Sequence, residues 1–239
     1  MNDRHSILDS ITGAFVPIHR DGYKFVAGFA VATLFLFLLA PPLGWLAAVL
    51  TAACAYFFRD PDRVTPDRDG LVVSAADGKI AAVAEGVMPP RELALGTDPL
   101  TRVSVFLSVL DVHIIRAPVG GKIIHGAMCP VRFSTRSWTR RARRTSASLR
   151  HRDCGRDKIG VILIAGLVAR RIVTFVSEGA SVAAGERIGL IRFGSRVDLY
   201  LPEGVEILTE LGQTAIGGET VLAALVGEAR RGQSAAGEA

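Results

Sequence analysis

Cysteine is scarce in this chain. Its 239 residues include three, Cys54, Cys129 and Cys154, with none of the paired spacing that holds a metal ion. An odd, scattered set also excludes a disulfide framework, so a reducing cytoplasm is the simplest setting. Charge is missing from residues 25–40, "FVAGFAVATLFLFLLA", and from 43–58, "LGWLAAVLTAACAYFF", which only Pro41-Pro42 separates. Each run falls short of the roughly 20 apolar residues that carry a straight helix across a bilayer. Together they are too long for a secretory signal, and residues 1–24 before them are mostly polar. The pattern predicts a membrane-embedded helical hairpin broken at the proline pair. Arg20 and Lys24 before it, with Arg59 and Arg63 after it, place both ends on the cytoplasmic side. A single kinked span and a buried hairpin of a soluble protein are the alternatives.

Helical periodicity is weak beyond this region. "FRDPDRVTPDRDG" (58–70) reads as a Pro/Asp-rich connector, and from residue 71 short β-rich runs alternate with glycine turns. Examples are "LVVSAADGKIAAVAEGV" and "KIGVILIAGLVARRIVTFV". The fold class expected is therefore mainly β, a barrel or sandwich, preceded by the helical hairpin. The division expected is a polar segment 1–24, a hairpin 25–58, a linker 59–70, a β-rich domain 71–225 and a frayed tail 226–239. Two stretches echo each other, "GASVAAGERIG" (179–189) and "GQTAIGGETVL" (212–222), each placing Gly-Glu six residues after a glycine. Such an echo fits two interlocked hammerhead-like halves, as in lipoyl- and biotin-carrying domains. Neither copy has the lysine that would bear the prosthetic group, so a membrane-tethered carrier or binding module is the weaker functional alternative.

The stretch "GLIRFGSRVDLYLPEGVEI" (189–207) puts Gly194-Ser195 between two strand-like runs. Taken alone, the pair is a turn or bulge with a solvated hydroxyl. Its company changes the reading. "FFRDPDRVTP", "SAADGKI" (74–80), "FLSVLDVHIIRAPVGGKI" (106–123), "IAGLVARRIV" (164–173) and "GERIGLIRFGSRVDLYLP" (185–202) occur in the order found in phosphatidylserine decarboxylases. The chain resembles the short bacterial branch of that family over about 20–225, except for the segment 130–156. The resemblance implies a proenzyme that cuts itself between Gly194 and Ser195, leaving a large chain (1–194) and a small one (195–239). Ser195 would become a covalent pyruvoyl group, the cofactor that forms a Schiff base with the substrate amine. It implies decarboxylation of phosphatidylserine to phosphatidylethanolamine, at the cytoplasmic face of a cell membrane. Glycine before the serine leaves room for the strained turn that an N-to-O acyl shift requires.

Two further residues take roles from the resemblance. Asp77 would be a charged partner near the self-cleavage site; a turn aspartate before Gly78 is the alternative. His113 would donate or accept a proton beside the pyruvoyl; a satisfied core histidine is the alternative. Longer family members carry a second histidine where this chain has Arg116, so the base that activates Ser195 is left open. Arg170, Arg171, Arg192 and Arg196 are candidates to meet the lipid's phosphate or carboxylate, or are solvated surface arginines. No residues suggest a metal site.

The net charge of +5 owes much to residues 130–156, "PVRFSTRSWTRRARRTSASLRHRDCGR", with nine arginines and one aspartate. It could be a basic lipid-facing loop, a nucleic-acid patch or a frame artefact. One back-translation of Pro130–Ser148, read from the last base of the proline codon, spells GKVLNAELDKASEENERQ. That string resembles the decarboxylase family at this point. A compensated frameshift is therefore expected here, and no nucleic-acid partner, since no binding fold accompanies the run. A family member impaired by this segment is the remaining alternative.

Overall fold

The computed structural model describes residues 16–93, 95–135, 138–151, 158–165, 172–192 and 195–225, of which 92, 125–135, 138–151, 165 and 195 by backbone alone. The chain divides into two compact units, Met1–Asp62 and Arg63–Ala239.

In the first unit two helices follow each other, α1 (Arg20–Leu39) and α2 (Pro41–Phe57). His19 caps α1, its Nδ1 accepting the Asp21 N–H at 3.3 Å, and Asp21 puts a negative charge in the positive first turn. Ala40 is extended and ends the helix. Pro41 and Pro42 then open α2, at positions whose N–H groups would be unbonded in any case. The helices pack through small groups. The Thr33 and Thr51 hydroxyls lie 2.9 Å apart, and a Cβ on Gly44 would sit 2.5 Å from the Phe37 ring. Large apolar side chains point outward instead: Leu34, Phe35, Leu38, Trp45 and Val49 are all exposed. Below the hairpin, Ile18 bridges Arg59, and His19 N–H donates to the Phe58 carbonyl at 2.8 Å. With 20 residues and a mean hydropathy of 1.9, α1 is long and apolar enough to cross a membrane; α2, with 17, is shorter.

The second unit is built from strands. β1 (Leu71–Val73), β12 (Glu206–Ile207) and β14 (Val221–Ala224) form one small sheet in the order β1-β14-β12. β4 (Ile114–Arg116), β8 (Ile172–Thr174) and β10 (Arg187–Ile191) form another, β4-β10-β8. The large sheet contains β2 (Gly78–Val87), β3 (Leu100–Leu107), β5 (Gly121–Thr135), β6 (Trp138–His151), β7 (Lys158–Ala165), β9 (Ser181–Val182), β11 (Ser195–Leu201) and β13 (Thr214–Ala215). Its order is β13-β2-β3-β11-β7-β6-β5-β9, and it curls into a half-barrel. The expected mainly-β class behind a helical hairpin is thus the class found.

β11 is an interior strand, hydrogen-bonded antiparallel to β3 and β7. Alternation sends Val197, Leu199 and Leu201 into the main core, with Val103, Val105 and Leu107 of β3 and Ile159, Val161 and Leu163 of β7. The opposite face buries Tyr200 in a smaller cluster with Leu93, Leu100 and Ile162. Two covered faces explain why "VDLYL" is nearly all apolar and why its one carboxylate needs a partner. Much of the arginine-rich segment pairs as an antiparallel ribbon of β5 with β6, in register from Gly121 with His151 to Thr135 with Trp138. Residues 1–15 and the tail 226–239 lie outside the described residues.

Candidate active site

Four strand ends meet at one edge of the large sheet. β2 begins at Gly78, β3 ends at Leu107, β11 begins at Ser195 and β7 ends at Ala165. Because neighbours are antiparallel, these ends lie side by side: Lys79 pairs Phe106, and Ser195 pairs both Leu107 and Ala165. One connection leaves this edge for the small sheet, from Leu107 to His113, and there Ile191 N–H donates to the His113 carbonyl at 3.0 Å and Leu190 pairs Ile114. In sequence, Ser195 lies four residues beyond Ile191. Gly194 lies outside the described residues, and of Ser195 only the backbone position is described.

His113 is fully buried. Its Nδ1 lies 2.8 Å from the Asp111 carbonyl oxygen, which can only accept, so Nδ1 carries the hydrogen. In the neutral ring Nε2 then carries the lone pair.

Asp77 closes the other side of the strand ends. Its Oδ2 accepts from the Arg63 guanidinium at 2.7 Å and its Oδ1 from the Gly217 N–H at 2.7 Å. Arg63 also reaches Glu219, 3.9 Å away, and Glu219 accepts the Val64 N–H at 3.1 Å. The sequence reading gave Arg63 only a place flanking the hairpin and Glu219 only a place in the echo, and assigned neither to this site. The available signal was an arginine in the connector and a glutamate in one Gly-Glu echo. Gly78, next to Asp77, has φ +151°, and a Cβ there would collide with the Phe106 carbonyl. Gly78→Ala is expected to lower stability by about 2 kcal/mol or more. Gly86→Ala, also at positive φ but in open space, should cost about 1 kcal/mol. Thermal midpoints of the purified variants check the difference.

Arg116 occupies the position of the longer members' second histidine. It is buried, and one guanidinium nitrogen donates to the Gly185 carbonyl at 2.9 Å. The echoed glycines converge on it: a Cβ on Gly218 would meet Arg116 Cδ at 2.8 Å and Gly185 Cα at 3.5 Å. A guanidinium cannot act as base, so Arg116 serves here as the knot joining the two echoes.

Arg196 follows Ser195 on β11 and faces away from the main core. Its Nε and one terminal nitrogen grip the Asp198 carboxylate at 2.7 and 2.6 Å. That hydrogen bond raises the guanidinium above its ordinary value, against an opposing pull from partial burial. The fork offered to a lipid phosphate in the sequence reading is thus occupied by Asp198. Arg170 and Arg171 lie outside the described residues.

The family model for phosphatidylserine decarboxylase matches residues 50–223, a span that contains every residue of this edge. The chain belongs to the phosphatidylserine decarboxylase family. It is 51% identical over 232 residues to the phosphatidylserine decarboxylase proenzyme of Cereibacter sphaeroides, covering 95% of this chain and 99% of that one. As a phosphatidylserine decarboxylase it is an enzyme, a carboxy-lyase.

Proposed function

We propose that this decarboxylase activates itself at the Gly194–Ser195 bond and then works on phosphatidylserine at the cytoplasmic face of a cell membrane. Ser195 Oγ attacks the Gly194 carbonyl carbon, and the peptide becomes an ester. Loss of the Ser195 α-proton expels residues 1–194 as a carboxylate and leaves dehydroalanine. Water then replaces its nitrogen, ammonia departs, and a pyruvoyl group caps residues 195–239. Once formed, the group supplies an electron sink as carbon dioxide leaves the substrate.

The observation that carries this reading is that Ser195 starts an interior strand, four residues after Ile191, whose N–H bonds the His113 carbonyl. The residues fit such a group. β11 is gripped by β3 and β7, both from the portion before the cut, so the small chain stays seated after cleavage. Residue 195 then stays in register with Leu107 and Ala165 although its own chain starts there. His113 would move a proton at Nε2. Asp77, fixed by Arg63 and Gly217, places a carboxylate beside the same strand ends. The helical hairpin, with its outward apolar side chains, would keep the enzyme on the bilayer that holds its substrate.

Purified protein is expected to run as two pieces, the smaller comprising residues 195–239, and borohydride with an amine should tag that piece alone. An unbroken chain that decarboxylates phosphatidylserine would refute the proposal. The arginine-rich β5–β6 ribbon favours one second reading: a decarboxylase impaired by this segment would be unbroken and inactive. Replacing 130–148 with GKVLNAELDKASEENERQ would then restore the cut.

A further inference from the structure

The connection from β3 to His113 turns sharply at residues 108–111, "SVLD". The turn is held by its own polar groups. The Asp111 carboxylate accepts the Ser108 N–H at 2.7 Å, Asp111 N–H donates to the Ser108 carbonyl at 3.1 Å, and Leu110 N–H donates to Ser108 Oγ at 3.3 Å. Both ends are rooted in buried side chains, Leu107 and Val112. Its tip does the opposite of what a soluble turn does. Val109 is 60% exposed and Leu110 68%, and Phe106, on the strand leading in, is 55% exposed. Large apolar side chains held outward by a rigid turn are costly in water and mark a contact surface.

We propose that this tip inserts into the interfacial layer of a phospholipid bilayer, beside the headgroup being decarboxylated. The inference rests on the reading that phosphatidylserine reacts at Ser195 and His113. The substrate's acyl chains lie in the bilayer, so the reacting edge must meet the membrane surface. The tip is the turn that connects this edge to His113, and its exposed side chains have the chemistry of the acyl boundary. Ser108 and Asp111 spend their polar groups within the turn, and Val109 and Leu110 are the side chains it offers lipid.

Vesicle binding alone is a poor readout, because the helical hairpin would anchor the chain with or without the tip. Depth at the tip is the direct one. In the full chain carrying Trp45→Phe, Trp138→Phe and Leu110→Trp, emission is expected to be strongly quenched by phosphatidylcholine–phosphatidylserine vesicles with brominated acyl chains. Unquenched emission would overturn the proposal; emission that shifts with protein concentration would assign the tip to a second copy and overturn it equally. A second measurement uses Val109→Ser with Leu110→Ser. Its kcat/KM should fall about tenfold or more on bilayer phosphatidylserine, and less than about twofold on a short-chain phosphatidylserine below its micelle concentration. Equal loss on both substrates would overturn the tip's role. Quenching does not depend on the pyruvoyl group, so a failure of self-cleavage and a failure of insertion give different results.

Discussion

Ser195→Ala is expected to leave one unbroken chain with no measurable decarboxylation. Alanine keeps the strand residue and removes only the hydroxyl. Position 195 pairs through its backbone with Leu107 and Ala165, so β11 should form as before and the thermal midpoint should hardly move. Without Oγ there is no ester, no elimination and no keto cap, so cutting and catalysis vanish together. Ser195→Cys separates the two. A thiol can accept the same acyl shift, but hydrolysis of the thioester competes with elimination. That variant should cut and yet carry less borohydride-taggable product per small chain. Mass spectrometry of the small chain checks both variants, and retained decarboxylation in Ser195→Ala would contradict the pyruvoyl assignment.

Much of the fold was legible because its signals are local. The charge-free runs and the proline pair forecast two helices with a break between them, and the helices form on either side of Ala40. Glycine-punctuated β runs forecast a strand-rich unit. What was not legible is how distant segments meet. Arg63 in the connector grips Asp77, and Glu219 near the other end of the chain receives the Val64 N–H. Neither pairing follows from spacing, because each depends on the closure of loops far apart in sequence. The Gly-Glu echo was visible, but its convergence on Arg116 was not. The resemblance singled out Asp77, His113 and Ser195 by motif, whereas the meeting of the β2 and β11 starts at one end of the large sheet depends on the order β2-β3-β11. Asp198 was overlooked altogether. It lies in an apolar strand with an arginine two residues earlier on the same face, and period-two alternation would have paired them.

That pair supports the second large effect. Asp198 is 1% exposed, and its carboxylate depends on the two Arg196 hydrogen bonds. Arg196→Ala would leave the charge buried and uncompensated, at an expected cost of about 3–5 kcal/mol. Asp198→Asn should be milder, because it removes the charge together with the need for a cationic partner. The double variant Arg196→Ala with Asp198→Asn should therefore be more stable than Arg196→Ala alone. A loss due only to missing packing would instead add up in the double variant. Thermal midpoints of the three variants show which holds, and additive losses would reduce the pair to packing. The consequence reaches the chemistry because Arg196 adjoins Ser195: a β11 loosened at its first residues would also slow the self-cut. Arg196→Lys, able to form one of the two hydrogen bonds, should fall between.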